Sequence, residues 1–321
     1  VVLGVFYCAI IMFGHHCTYA ASVVYSTPTV VIDTGIPISN SNPNTHTYTH
    51  INTNKGSTLL YDDFREMYGW IRHNTEESAK ILSWWDYGYQ LAAMGNRTTY
   101  IDGNTWNNTH IALVGLVLIS SEEEAEPLLA SLDVDYVLVV FGGVSGYGSD
   151  DINKFMWPVR ISRGVFPDRD RDRDSRTDTH RDTDRDTDRD WETRFYNDKN
   201  QFDVGANASR ALRDSVTYKL CYHRFHQIST GSTATGTSVS QFTGSRRTGT
   251  ESESDYGSGY GYGYDRARGT TVTGAKDIQL SVFEEVYTTA HWMVRLYRVR
   301  KGKKGVKVTV CQLVVITDKE L

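Results

Sequence analysis

Two stretches of this chain cannot contribute to a packed interior, and they dictate how the rest must fold. From Asp168 to Asp190 there are ten Asp and seven Arg in 23 positions and no apolar residue. Nothing there can bury enough surface to offset the entropy of ordering it. From Ser229 to Gly274 the chain is largely Ser, Thr and Gly and contains YGSGYGYGYD, again without a hydrophobic period. Both read as disordered surface insertions, so any core has to be assembled from separated pieces. The expected division is 1–25 as the end of a membrane helix, 26–57 as a Thr/Ser/Asn/Pro-rich linker and 58–162 as an α/β core. A charged insert (163–200), a helical segment (201–228), a Ser/Thr/Gly/Tyr insert (229–274) and a closing β segment with a basic tail (275–321) follow.

The foldable remainder is ample. The chain has 321 residues, 39% of them hydrophobic, which at about 150 residues per domain allows one large or two modest domains. With 39 acidic against 34 basic residues the formal charge is −5, so no excess of positive charge exists to attract a phosphate backbone, and nucleic acid is not an expected partner. Cys8, Cys17, Cys221 and Cys311 share no metal-like spacing. The run from Val1 to Phe13 is apolar throughout. It is shorter than the roughly 20 residues a bilayer crossing needs and lacks the basic leader and small-residue cleavage pattern of a signal peptide. It reads as the last part of a membrane helix cut at its start, with a buried N-terminal helix as the other reading.

Periodicity then places the elements. Phe64, Met67, Tyr68 and Ile71 follow the i, i+3, i+4, i+7 rule behind Asp62 and Asp63, an amphipathic helix with negative charge at its N-terminus. KILSWW reads as a buried strand, YGYQLAAM as a turn or two of helix, TTYI as a strand and HIALVGLVLI as an apolar helix. Ser121 and Glu124 form a capping box ahead of Ala125, Leu128, Leu129 and Leu132, with Pro127 expected to kink that helix or delay its start. DYVLVVF, bounded by Gly142 and Gly143, is a strand covered on both faces. Leu212, Val216 and Leu220 suggest one helix, and VFEEVYTTAHWMVRLYRV suggests a helix end, a turn and a strand near Trp292 to Val299. Alternating strands and helices predict a mixed or mostly parallel α/β core.

Four aromatics and one carboxylate crowd Trp84-Trp85-Asp86-Tyr87-Gly88-Tyr89. Tyr and Trp each offer an apolar face and one polar handle, and ionised Asp86 is an acceptor, so the cluster suits a ligand bearing a hydroxyl or a sugar. The competing reading is a strand end whose aromatics are core and whose Asp caps the next helix. GGVSGYGSDDINK has no GK[ST] ending, and two aspartates at a helix start would repel a phosphate. Asp150 or Asp151 as an N-cap, ion-paired with Lys154, explains that stretch. The histidines include no HExxH, and His223 and His226 read as polar surface rather than metal ligands. Asn96, Asn107 and Asn207 open N-glycosylation sequons, which have meaning only in a secretory lumen.

In one order the chain carries WWDYGYQ (Trp84 to Gln90), NTWNNTHI, YVLVVFGG, DDINKFMW (Asp150 to Trp157), YKLCYHRF and EEVYTTAHWMVRLYRV. Together these closely resemble the lumenal C-terminal domain of the catalytic subunit of eukaryotic oligosaccharyltransferase. HHCTYAASVVYSTP is similar to the end of that family's last membrane helix. The fold this implies is a mixed α/β lumenal domain after the end of a transmembrane helix, with two low-complexity insertions.

The resemblance implies transfer of a glycan from a dolichyl diphosphate donor to Asn in Asn-X-Ser/Thr, at the lumenal face of the endoplasmic reticulum membrane. It assigns Trp84, Trp85 and Asp86 to the Ser or Thr hydroxyl of the acceptor peptide, Asp151 and Lys154 to bracing the same pocket, and Tyr89 to the neighbourhood of the donor pyrophosphate. Asn107 matches a position that carries a glycan of its own, while Gly103 stands where the family usually has another Asn. Pro158 replaces the Met or Ile that touches the Thr methyl, which removes a flexible apolar contact. The family's Mn²⁺ or Mg²⁺ ligands and catalytic acids lie in earlier loops outside these motifs, so the chain is expected to hold no catalytic or metal residue and to give acceptor recognition without turnover. Expected partners are the lipid-linked donor, nascent polypeptides, the membrane and accessory oligosaccharyltransferase subunits. A lectin-like module using Trp84, Trp85 and Tyr89 as a sugar platform is the alternative. A hydrolase using Asp150 and Asp151 lacks a nucleophile or paired acids.

Overall fold

A computed structural model of the protein describes residues 2–24, 30–37, 52–53, 56–167, 191–228 and 262–301. The bulk of both low-complexity runs, 168–190 and 229–261, lies outside the described residues. Their edges do not behave as insert. Phe195 is buried edge-to-face against Phe155 at 5.0 Å, and Asp265 and Val272 are buried as well. The expected insert boundaries at 163–200 and 229–274 were therefore too wide.

The first helix, α1 (Val2–Val24), is 23 residues long, and its stretch Val2–Ala20 is long and apolar enough to cross a bilayer, with its side chains exposed. The helical element thus extends past the 13-residue apolar run seen in the sequence. The presumed linker is not structureless either. It contributes β1 (Ile32–Pro37), β2 (Asn52–Thr53) and β3 (Gly56–Tyr61), an antiparallel sheet in the order β1-β3-β2. Helix α2 (Asp63–Asn74) follows and buries Phe64, Met67, Tyr68 and Ile71, the face its periodicity specified.

The central sheet has the order β5-β4-β6-β10-β9. Strands β4 (Lys80–Leu82) and β5 (Thr98–Thr99) run parallel, as do β4 and β6 (Tyr136–Val140). On the other side β6 pairs antiparallel with β10 (Val294–Val299), Leu138 opposite Leu296, and β10 pairs antiparallel with β9 (Phe283–Thr288). Every residue of β6 is buried. The expected helix end before the last strand is corrected to β9. Its Glu284 and Glu285 break the apolar pattern, and Glu285 is neutralised by the fully buried Arg295 at 3.0 Å.

Helices cover the sheet. Asn107 caps α3 (Asn108–Ile119), its Oδ1 accepting from the His110 N–H at 3.0 Å. The capping box opens α4 (Glu122–Leu132), and Pro127 neither delays its start nor ends it. The carbonyl it leaves without a helical donor is that of exposed Glu123, which water can satisfy. Helix α5 (Met156–Val165) packs on α3, where the Ser162 hydroxyl donates to Ala112 O at 2.9 Å. Gly115 permits this approach, because a Cβ there would meet Pro158 at 3.2 Å. The single helix expected around Leu212 and Leu220 is two, α6 (Arg210–Asp214) and α7 (Val216–Tyr222), broken at extended Ser215. The Ser215 hydroxyl donates to Leu212 O and accepts from Tyr218 N–H, closing one helix and opening the next. Arg295 donates to the carbonyls of Leu220, Cys221 and His223, a buried cation at the C-terminus of α7. A two-stranded hairpin, β7 (Tyr264–Asp265) and β8 (Thr270–Thr271), completes the fold.

Candidate functional site

The site begins where β4 ends. After buried Ser83 the chain makes three tight turns in succession, a 3₁₀ turn at Trp85–Tyr87, an α turn at Gly88–Gln90 and a π turn at Leu91–Gly95. Such turns leave the sheet abruptly and present consecutive side chains to different surroundings. Gly88 is required here, since a Cβ would strike Ile101 O and the Asp102 backbone. As a result the aromatics divide. Trp84 is 3% exposed and Tyr87 5%, both in the core, while Trp85 and Asp86 are half-buried and Tyr89 is 54% exposed. Some rings of this cluster are core and others surface, and Asp86 does not cap the next helix as the competing reading expected. Tyr89 lies over Gly103, whose added Cβ would sit 2.9 Å from its ring.

The second half of the site comes from the loop after β6. Asp151 folds back onto the strand end, its N–H donating to Val140 O at 3.0 Å and its Oδ2 accepting from Val140 N–H at 2.8 Å. Its Oδ1 accepts from the Tyr87 hydroxyl at 3.2 Å. Burial is the largest influence on this carboxyl and pushes its pKa up to about 7, opposed by the Val140 hydrogen bond and the Lys154 charge. Lys154 reaches across to the first motif, its Nζ 3.2 Å from Asp86 Oδ2, 3.4 Å from the Tyr87 hydroxyl and 5.2 Å from the Tyr87 ring centre. Asp86 Oδ2 is out of solvent and accepts no hydrogen bond, so charge rather than directed bonding holds this pair.

Asp86 and Asp151 are therefore linked through Lys154 and Tyr87, and Trp85 packs on the nearly buried Trp84. Its ring centre is 6.4 Å from that of Trp85. Tyr89 stands apart on the exposed side of the turns. The expected ion pair of Lys154 with Asp150 or Asp151 is corrected: its ammonium pairs with Asp86. Asp150 is fully buried, accepts from the N–H groups of Gly142 and Asn153, and is ion-paired with Arg268 of the β7–β8 hairpin. Its capping role holds, although it caps the turn at 151–155 and not α5 itself. Pro158 is buried at the third position of α5, where its missing N–H costs little, and packs toward α3. His223 and His226 are half-buried rather than surface residues. Among the described residues no group of three or more His, Cys, Asp or Glu side chains could hold a metal ion.

Sequence reasoning missed Tyr87 as a member of the site and Arg268 as the partner of Asp150. Tyr87 was hidden among three other aromatics. Arg268 was hidden at the end of a repetitive Tyr/Gly tract.

A model of the STT3/PglB/AglB core domain matches residues 77–157, the span that holds both halves of the site. The chain is 41% identical over 298 residues to the STT3B subunit of the dolichyl-diphosphooligosaccharide–protein glycosyltransferase of Arabidopsis thaliana, covering 93% of this chain and 31% of the relative. It is 38% identical over 292 residues to the stt-3 subunit of Caenorhabditis elegans, covering 91% of this chain and 30% of the relative. The chain belongs to the oligosaccharyltransferase catalytic-subunit family. It spans about a third of the length of these curated family members. Among solved structures it is similar to the C-terminal globular domain of the Archaeoglobus fulgidus oligosaccharyltransferase, at 13% identity and a TM-score of 0.36, over 75% of this chain and 98% of that one. The family assignment rests on the sequence relatives alone.

Proposed function

We propose that this chain reads the acceptor sequon for an oligosaccharyltransferase, which transfers a glycan from dolichyl diphosphate to the Asn of Asn-X-Ser/Thr in nascent polypeptides at the lumenal face of the endoplasmic reticulum. The observation that carries the reading is the meeting of Asp86 with Lys154. Two motifs far apart in sequence converge on one partly exposed carboxylate, next in the chain to a half-buried Trp85. A Ser or Thr hydroxyl offers one donor and two acceptor lone pairs, so Asp86 can take its proton while the Trp85 N–H faces its oxygen. An Ala at the same peptide position would give that carboxylate no hydroxyl donor, and sites built to hydrogen-bond a hydroxyl reject the analogue that lacks it by factors of up to about 10⁴ to 10⁵. Trp84, nearly buried, serves this site by fixing Trp85 rather than by offering surface. The same burial weakens the lectin-like alternative, which needs Trp84 as part of an open sugar platform.

Exposed Tyr89 is the candidate for the donor pyrophosphate, because a protonated phenol can donate to a phosphate oxygen. Helix α1 would seat the chain in the membrane, and accessory subunits remain candidate partners. Asn107 is the candidate glycan carrier of the chain itself. Its cap uses Oδ1 and glycosylation would use Nδ2, so the two are compatible. The Mn²⁺ or Mg²⁺ that the family's reaction implies does not fit these residues. Asp86 already faces Lys154, Asp150 faces Arg268, and Asp151 is held by Val140 and Tyr87. No metal-dependent step is placed on them.

The test is competition binding of Asn-X-Thr and Asn-X-Ala peptides to the enzyme in native membranes, with Trp85→Ala or Asp86→Ala. A hydrogen bond to a charged group contributes about 1.5–3 kcal/mol, so Asp86→Ala should reduce discrimination by roughly 10- to 100-fold. Unchanged discrimination in either variant would remove that residue from the reader.

A further inference from the structure

We propose that Tyr87 is a positioning residue for sequon recognition, its hydroxyl being the link through which Asp151 and the end of β6 hold Lys154 against Asp86. This deepens the reading of Asp86 as the hydroxyl acceptor and rests on it.

Lys154 is a point charge on a flexible four-carbon stem, and by itself such a group does not hold one geometry. Here three contacts locate its ammonium: Asp86 Oδ2 at 3.2 Å, the Tyr87 oxygen at 3.4 Å and the Tyr87 ring face at 5.2 Å. Two of the three are Tyr87. That side chain cannot drift, because it is buried and its ring stacks on Phe64 at 6.0 Å. Its one proton is committed as well. The hydroxyl donates to Asp151 Oδ1 at 3.2 Å, which turns its lone pairs toward the ammonium. Burial, with the nearby Asp151 and Asp86 charges, pushes the phenol well above its ordinary pKa, so the donating proton stays in place. Asp151 is in turn fixed to the sheet through Val140 N–H. The result is a relay of fixed contacts from the strand end, through Asp151, Tyr87 and Lys154, to the carboxylate that meets the peptide. Without the Tyr87 oxygen, Lys154 keeps its charge but loses its aim, and Asp86 loses the partner that sets its orientation.

The experiment uses the enzyme in native membranes and five proteins: wild type, Asp86→Ala, Tyr87→Phe, Asp151→Asn and the double variant Tyr87→Phe/Asp151→Asn. Each is measured for Asn-X-Thr and Asn-X-Ala binding by competition, and for the glycosylation rate at saturating Asn-X-Thr peptide. Tyr87→Phe preserves the ring and its stack and deletes only the oxygen. Its Thr-to-Ala discrimination is expected to fall about 5- to 10-fold, the size of one hydrogen bond. The whole loss should appear in the Thr peptide, with Ala-peptide binding unchanged. Asp151→Asn is expected to show the same selective loss, and the double variant no more than either alone, because they break one chain of contacts. If Tyr87→Phe does not accumulate, Asp151→Asn decides by the same criterion. Equal weakening of both peptides, or no change while Asp86→Ala abolishes discrimination, overturns the positioning role and leaves the reader standing. Full discrimination in Asp86→Ala overturns both.

Discussion

Asp150 and Asp151 are neighbours in the chain, both buried, and they lead opposite lives. On one side of the loop Asp150 enters a closed network of charges. Arg268 bridges it to Asp265 at 3.0 Å, and Asp265 also accepts from the Tyr222 hydroxyl at 2.6 Å. On the other side Asp151 faces a chain of contacts that ends in a partly exposed carboxylate. The first arrangement closes on itself and fastens the β7–β8 hairpin to the loop. The second is left open at Asp86, where a ligand can complete it. Backbone position made both residues inaccessible, but the partner's chemistry separated them: a guanidinium with many fixed donors on one side, a phenol and a single ammonium on the other.

The sharpest way to test that contrast is to break the closed side. Arg268→Ala leaves the Asp150 charge buried and unpaired, and breaking such a pair costs about 3–5 kcal/mol. Chemical unfolding should show that loss, while sequon discrimination in the folded fraction stays intact. Loss of discrimination at unchanged stability would mean the two sides are one site.

The open side carries a pH signature. The folded pKa of Asp151 is raised to about 7 by burial, against an unfolded value near 3.9. Between those values the folded protein holds a proton that the unfolded chain does not, so this group opposes folding fully above pH 7 and progressively less as pH falls toward 4. Lys154, Asp150, the Tyr68 and Tyr87 phenols and the Cys221 thiol all face it. Relative to Asp151→Asn, the wild type should gain stability on going from pH 8 to pH 5, by on the order of a few kcal/mol. A pH-independent difference would mean the carboxyl is ionised throughout.

A smaller effect belongs to Asn107, remote from either side. Asn107→Ala removes the α3 cap and should cost about 1 kcal/mol of stability. Glycopeptide mapping of native membranes should find a glycan at this position in the wild type and none in the variant. An unmodified Asn107 in wild type would count against lumenal exposure of this face.

The parts of the fold that were legible in the sequence are those whose pattern is local. The apolar face of α2, the capping box of α4 and the continuous run of β6 all appear where their periods place them. The parts that were not legible depend on partners far along the chain. β9 carries Glu285 on a strand because a buried arginine from β10 neutralises it. β1 pairs with β3 inside and beyond a segment that composition reads as a linker, because each strand supplies the other's hydrogen bonds. Arg268 sits beyond a tract with no pattern to read, yet its guanidinium is 11% exposed and indispensable to Asp150.

The sequence by itself determined the family, the two motifs and the residue types able to read a hydroxyl, because these are carried by the order of residues along the chain. Only the tertiary structure decided which aromatics of the first motif are core and which are surface, and which of two adjacent aspartates faces the site. Those outcomes turn on burial and on the direction of single side chains. Both are fixed by contacts between segments that the sequence keeps apart.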